Sequence, residues 1–435
     1  MAQMKLIATG DVFITRRIPK DGYPGFDRLQ QLIQSHDVAF TNLEMTFHHC
    51  EGYPNAVSGG TWAMTDPVML DDVQRFGFNI YNTANNHSCD YSHGGVLATI
   101  RHLKARNMLF SGTGANLGEA SKPCYLETPH GRVALISCCS TTVETAAAGA
   151  QSADLPGRPG LNRVACVTTY HLDKAHFAMA KELAAVSTVN SAKERTISLG
   201  YAPPFPQGKL PFGSVMFVED DRCFVETKPH PRDMARIEAE IREARRQADI
   251  VLVSLHTHDC VNGEGHLVPE AQQVFSRRCV DAGAHAVLAH GPHELRGIEI
   301  YKGAVLFHGL GNFLFETETV EFQPADAYIN KGMPLDTKVG AYMDERSQNG
   351  TRGFGVQEWI WKSVAAGFTM EDGKITQVQL HPIDLGQKLP RSQKGRPVLS
   401  GDMGTLQYLQ TLSAPFGTAI RMEDGVGYID LEAEV

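Results

Sequence analysis

Residues able to bind metal or move protons stand at the carboxyl ends of successive apolar, β-rich runs. They are Asp11 after LIATG, Asn42 and Glu44 in VAFTNLE, and Asn85, Asn86 and His87 in IYNTANNH. His256 and His258 follow in IVLVSLHTH, and His290 and His293 in AVLAHGPH. A short Val/Ile/Leu run bounded by turn residues reads as a buried strand. In open α/β sheets, ligands gather beyond the carboxyl ends of such strands. Runs ending in carboxylate, amide and imidazole therefore predict one convergent site, and that donor mixture suits a divalent transition metal.

Each residue also has a plainer use. Asp11 could hold a metal or cap the next element. Glu44 is an awkward neighbour for Asp11 unless a cation or a proton separates them. Asn86 could offer an amide oxygen while His87 stays free as a general acid or oxyanion stabiliser. Asp90, three residues on, could fix the His87 tautomer, although Asn-Asn is also a strong turn former. If the strand persisted, His256 and His258 would face opposite sides, and His256, directly after the apolar run, is the one expected inward. Gly291 and Pro292 form a tight turn that could aim His290 and His293 at one point. Asn42, Asn85, His258 and Arg296 are candidate substrate contacts. Arg16, Arg17 or Arg296 could hold an anionic group, the ordinary alternative being a solvated surface arginine.

The elements that must position these residues alternate strand and helix over the first 140 positions: KLIATG, FDRLQQLIQ, DVAFTNLE, VMLDDVQRF, FNIYNTAN and GGVLATIRHLKARN. CYLETPHGRVALISCCS reads as a hairpin. Such alternation predicts a largely parallel sheet covered by helices. Residues 142–215, rich in Ala, Ser, Pro and Gly, break the rhythm and read as an insertion, either a lid or a surface elaboration. The α/β pattern returns with the charged helix after Pro231. Residues 316–352 read as a long loop region near the site mouth. Strands, a short helix near TLQYLQTL and a closing strand complete a single domain spanning 1–435.

At 435 residues, 42% hydrophobic and 20% charged, the chain has an ordinary globular composition, large enough for one domain plus an insertion. A formal charge of -9 gives no reason to expect nucleic acid, and no long Lys/Arg run points to a membrane surface. No run of 18 apolar residues suggests membrane insertion, and MAQMKLIATGD enters a strand without a signal pattern, so a cytoplasmic protein is expected. The nine cysteines form no CxxC pair and read as reduced, largely buried thiols, with Cys89 and Cys260 close enough to line the site.

The ordered series GD, NLE, NNHxxDxG, SLH, HxPH and GNFLF resembles the CapA, or poly-γ-glutamate capsule synthesis, family, which is similar in fold to the calcineurin-like metallophosphoesterases. The match runs from about residue 4 to 315, and SAPFGTAI also has a family look. The resemblance implies a four-layer α/β/β/α sandwich with a two-metal site at the strand ends. By motif, Asp11 and His293 would serve the first metal, Glu44 would bridge, and Asn86, His256 and His290 would hold the second, with His87 as proton donor. Two such metals, about 3.5–4 Å apart, would activate water and neutralise a transition-state oxyanion. The sequence departs from the superfamily at Asp11-Val12-Phe13, where Asp-x-His is usual, and at Glu44, where aspartate usually bridges.

One or two manganese, iron or zinc ions are therefore expected, with the first site weakened or empty. The leading functional expectation is a hydrolase of a phosphoester or amide-like bond in a small-molecule or peptide-like, anionic substrate. A metal- and cofactor-independent peptide epimerase using Asp11, His87 and His256 as acid and base is the enzyme alternative. A non-catalytic part in polyanion synthesis is the third.

Overall fold

The computed structural model describes residues 3–431. Its architecture follows from strands whose two faces are both apolar. In the first strand, Met4–Phe13, Leu6 and Ala8 enter one buried cluster with Val133, Leu252 and Leu288 of a second sheet, whereas Ile7 packs with Phe26, Leu29 and Ile33 of the helix Phe26–Gln34. The second sheet repeats this: Leu252 faces the first sheet, while Val251, Val253 and Leu255 pack on Ile237 and Ile241 of the helix Pro231–Gln247 and Phe275 of the helix Glu270–Ala282. Period-two alternation thus yields helix, sheet, sheet and helix in four layers, the α/β sandwich expected.

In the first sheet, Met4–Phe13 runs parallel to Val38–Leu43, which pairs with Ile80–Asn82, and antiparallel to Lys362–Glu371. The second sheet has the order Leu295–Tyr301, Ala304–Leu310, Ala286–His290, Ile250–His256, Gly131–Cys139 and Cys124–Thr128. AVLFHGLGNF does not form one strand. Residues Ala304–Leu310 belong to the second sheet and Asn312–Phe315 to the first, pairing parallel with Met4–Phe13. The switch occurs at Gly311, whose φ of 69° lies in the left-handed region that glycine adopts at no steric cost.

Two expectations about chain organisation need correction. The segment 142–215 is incomplete as a unit, because its strands Cys166–Asp173 and Lys209–Phe212 form a sheet with Val215–Asp220 and Phe224–Pro229. The resulting small α/β unit, with helices Lys174–Ser187 and Ser191–Ser198, therefore runs on to Pro229. The segment 316–352 holds two short helices, Ala325–Ile329 and Val339–Ser347, whose Tyr328, Tyr342 and Met343 are buried in the outer cluster of the first sheet. Among the described residues, no helix is long and apolar enough to cross a membrane.

Leu252 is fully enclosed between the sheets. Leu252→Ala should cost about 2–5 kcal/mol of unfolding free energy in a denaturant titration; a loss below about 1 kcal/mol would show that the sheets do not meet there.

Candidate metal centre

Strand register places four polar side chains abreast at one end of the first sheet: Asn312, Asp11, Asn42 and Asn82, each paired with the next. In the second sheet, His256 is the register partner of His290. The two rows face one another across the end of the inter-sheet core. Asp11 reaches its place through Gly10, where a Cβ would lie 1.8 Å from the carbonyl oxygen of Gly311. That same oxygen accepts the Asp11 N–H at 3.0 Å, so the sheet switch and the first site residue are built together.

Asp11 is completely buried. Its Oδ1 accepts the Asn42 amide at 2.7 Å and lies 3.2 Å from His290 Nδ1 and 3.7 Å from His256 Nδ1. Its Oδ2 accepts the Gly291 N–H at 3.0 Å and stands 3.7 Å from His293 Nδ1. Burial opposes its ionisation, but the bond and charge of His290, together with His293 and Asn42, hold its pKa below the ordinary carboxylate value.

The four histidines converge. His256 Nδ1 and His290 Nδ1 are 2.9 Å apart, and His256 Nε2 and His258 Nε2 are 3.2 Å apart. The reading that sent His258 to the opposite side fails because the strand ends at His256. The chain then turns, and the His258 N–H is tied to Thr141 Oγ1 at 2.9 Å. His293 sits at φ 63°, a left-handed conformation that the Gly291-Pro292 turn imposes on a non-glycine residue. Its Nδ1 contacts Asn312 Oδ1 at 2.8 Å. Ser254 Oγ meets His290 Nε2 at 2.8 Å. Burial and neighbouring imidazoles push His256 far below the usual histidine range, and burial followed by His293 takes His258 down to about 3. Neutral imidazoles are the form that ligates metal.

Glu44 lies at the centre. Its Oε1 is 3.5 Å from His256 Nε2 and 3.7 Å from His258 Nε2, and its Oε2 is 3.8 Å from His293 Nδ1. Both oxygens are buried without a hydrogen-bond partner. Burial, then the nearby charges of Asp11 and Asp90, raise its proton affinity well above the ordinary value. Such a carboxylate calls for a cation or a proton.

The residues fit a metal. Asp11, Glu44 and His293 form one group with ligand atoms within 4.8 Å of one another; Glu44, His256 and His258 form a second, and Asp11, His256 and His290 a third. Glu44 is common to the first two, as a bridging ligand would be. Four imidazoles and two carboxylates suit manganese, iron or zinc better than magnesium or calcium.

His87 and Asp90 stand beside this cluster. His87 Nδ1 contacts Asp90 Oδ2 at 2.6 Å, and the Asp90 carboxylate is itself fixed by the Gly59 and Ala63 N–H groups at 2.9 and 2.8 Å. His87 is near enough that its charge depresses the pKa values of His256, His258 and His293. Asn86 gives its amide N–H to Gly59 O at 2.8 Å and keeps its Oδ1 buried and unpartnered, free for a ligand.

Three of the four candidate substrate contacts have other work. Asn42 Oδ1 accepts from both Asn82 and Asn85, and Asn85 Oδ1 accepts the His87 N–H. These fully buried amides form a network that orients Asp11 and the Asn86-His87 turn. Arg296 is not a surface arginine. It is completely buried, and its guanidinium donates to Gly265 O, Gln272 Oε1 and Asp259 O at 2.7, 2.6 and 2.6 Å, which ties down the loop after His258. Arg16 pairs with Glu316 and Arg17 with Asp72. Phe13, third in the first motif, packs edge-on against His87 at 5.8 Å between ring centres. Cys89 is buried and Cys260 exposed. Asn82, Ser254 and Asn312 escaped the sequence reading, although Asn82 and Asn312 carry its own signal, a polar residue on a short apolar strand.

The family described as "Bacterial capsule synthesis protein PGA_cap" matches residues 5–317. An uncharacterized protein of Sinorhizobium fredii is 29% identical over 439 residues, covering 98% of this chain and 93% of its own. The "PGA biosynthesis protein CapA" of Bacillus subtilis is 24% identical over 71% of this chain and 62% of its own length. The "Capsule biosynthesis protein CapA" of Bacillus anthracis is 22% identical over 56% and 42% respectively.

A cation neutralising Glu44 would stabilise the folded state by mass action. Chelator should lower the melting temperature of the wild-type protein by clearly more than that of Glu44→Gln. Equal chelator sensitivity in both proteins would remove Glu44 from the ligand set.

Proposed function

This chain belongs to the bacterial capsule synthesis protein family PGA_cap, and on that premise we propose that it is a metal-dependent hydrolase of an amide-like or phosphoester bond in an anionic substrate. The observation carrying this reading is Glu44, a buried carboxylate with no protein donor, set among four imidazoles and a second carboxylate. A structural carboxylate would be satisfied by N–H or O–H groups.

When bound, a divalent cation lowers the pKa of water and compensates developing negative charge. Asp11, Glu44, His256, His258, His290 and His293 would hold it, with the free Asn86 Oδ1 as a further donor. His87 has its Nδ1 engaged by Asp90, which leaves Nε2 to pass a proton to the departing nitrogen or oxygen. Asp90 fixes that tautomer and stabilises the imidazolium. The Asn42, Asn82 and Asn85 amides keep Asp11 and His87 in register. The resemblance to the poly-γ-glutamate capsule synthesis family supports an amide-linked, glutamate-rich chain as substrate, and the sandwich fold supports the phosphoester.

Two observations favour a second reading, metal-free acid/base chemistry. Phe13 supplies no ligand where Asp-x-His is usual, and His256 and His290 already satisfy one another at 2.9 Å. Turnover by chelated protein would select it.

With manganese or zinc, the purified protein should cleave a γ-glutamyl amide or a p-nitrophenyl phosphoester. His87→Gln should lower kcat by about 10²–10⁴-fold with metal content unchanged. Full activity in that variant would exclude His87 as proton donor, and wild type that binds no metal would overturn the hydrolase.

A further inference from the structure

We propose that the small α/β unit carries a separate metal site, built from Asp173, His176 and Cys223 and suited to a borderline-soft divalent cation such as zinc. Asp173 ends the strand Cys166–Asp173, His176 lies in the first turn of the helix Lys174–Ser187, and Cys223 lies just before the strand Phe224–Pro229. The three ligand atoms lie within 4.8 Å of one another. His176 Nδ1 is 2.8 Å from Asp173 Oδ2, Cys223 Sγ is 3.4 Å from the same oxygen, and Sγ and Nδ1 are 3.8 Å apart. A tetrahedral zinc with bonds of about 2.0–2.3 Å separates its ligand atoms by about 3.3–3.8 Å. The triad thus already approximates three vertices, and small movements of exposed side chains would complete it.

Helix capping accounts for only part of this arrangement. Asp173 Oδ1 accepts the His176 N–H at 3.0 Å, as an N-cap does. Capping gives no reason for a sulfur to arrive from a different segment beside Oδ2. The Asp173 N–H points at Cys223 Sγ at 3.4 Å, which fixes the sulfur beside Oδ2. The Asp173 and His176 side chains are 34% and 57% exposed, so a cation can enter from solvent and keep water at its fourth position. On binding, the proton between His176 and Asp173 and the Cys223 thiol proton would pass to solvent, and the cation would join the strand, the helix start and the turn. Packing does little of that joining, since Ala184 is the one buried residue of the helix.

The triad shares no residue with the centre at Glu44 and differs from it in kind, being the group among the described residues that includes a cysteine. Cobalt(II) titrated into the full-length, chelator-stripped protein separates the two. A thiolate-to-cobalt charge-transfer band should rise with one equivalent, persist in Glu44→Gln and vanish in Cys223→Ser. His176→Ala should weaken the cobalt affinity behind that band by about tenfold or more. No band in the wild type, a band that survives Cys223→Ser, or unaltered affinity in His176→Ala would each overturn the assignment.

Discussion

Burying the Glu44 carboxylate beside Asp11 strips it of hydration worth several kcal/mol, and no N–H or O–H among the described residues returns that energy. The rest of the site is arranged around this deficit. His290, with His293 and Asn42, favours the charged form of Asp11, which makes a second fully buried anion beside it harder still to keep. His256, His258 and His293, whose protonation burial disfavours, can offer lone pairs but little charge. A cation at Glu44 meets all of these demands together, whereas a proton on Glu44 removes the second anion but leaves the imidazole lone pairs without a shared partner.

The fold supplies the precision that such a site needs. One row of side chains comes from each sheet, and the rows meet because the chain crosses from the second sheet to the first at Gly311, beside Gly10. The amides of Asn42, Asn82 and Asn85 then lock neighbouring strand ends to each other. The strained φ of His293 and the turn at Gly291 are held against this frame, as strain at functional sites usually is. Arg296 does the same for the other flank by pinning the loop that follows His258.

Much of this was legible in the sequence because polar residues at the ends of apolar runs are conspicuous: Asp11, Glu44, His256, His290 and His293 all signalled themselves in that way. His258 was misplaced because period-two reasoning assumes that the strand continues, and strand length is set by tertiary bonds such as that from His258 to Thr141. The role of Arg296 was invisible for a similar reason. Burying a guanidinium depends on carbonyls brought by a loop and on Gln272 of a later helix, which no local pattern encodes. The insertion was cut short at 215 because the pairing of Val215–Asp220 and Phe224–Pro229 with Lys209–Phe212 and Cys166–Asp173 is set by tertiary contacts rather than by any local pattern.

The most direct measurement is anomalous diffraction at the manganese, iron and zinc edges from crystals grown without chelator. The expected result is anomalous density within bonding distance of a Glu44 oxygen and of at least one of His256, His258 and His293. Ordered water at that position, with Glu44 hydrogen-bonded as a neutral acid and no anomalous signal after soaking in near-millimolar metal, would contradict a cation as the partner of this carboxylate.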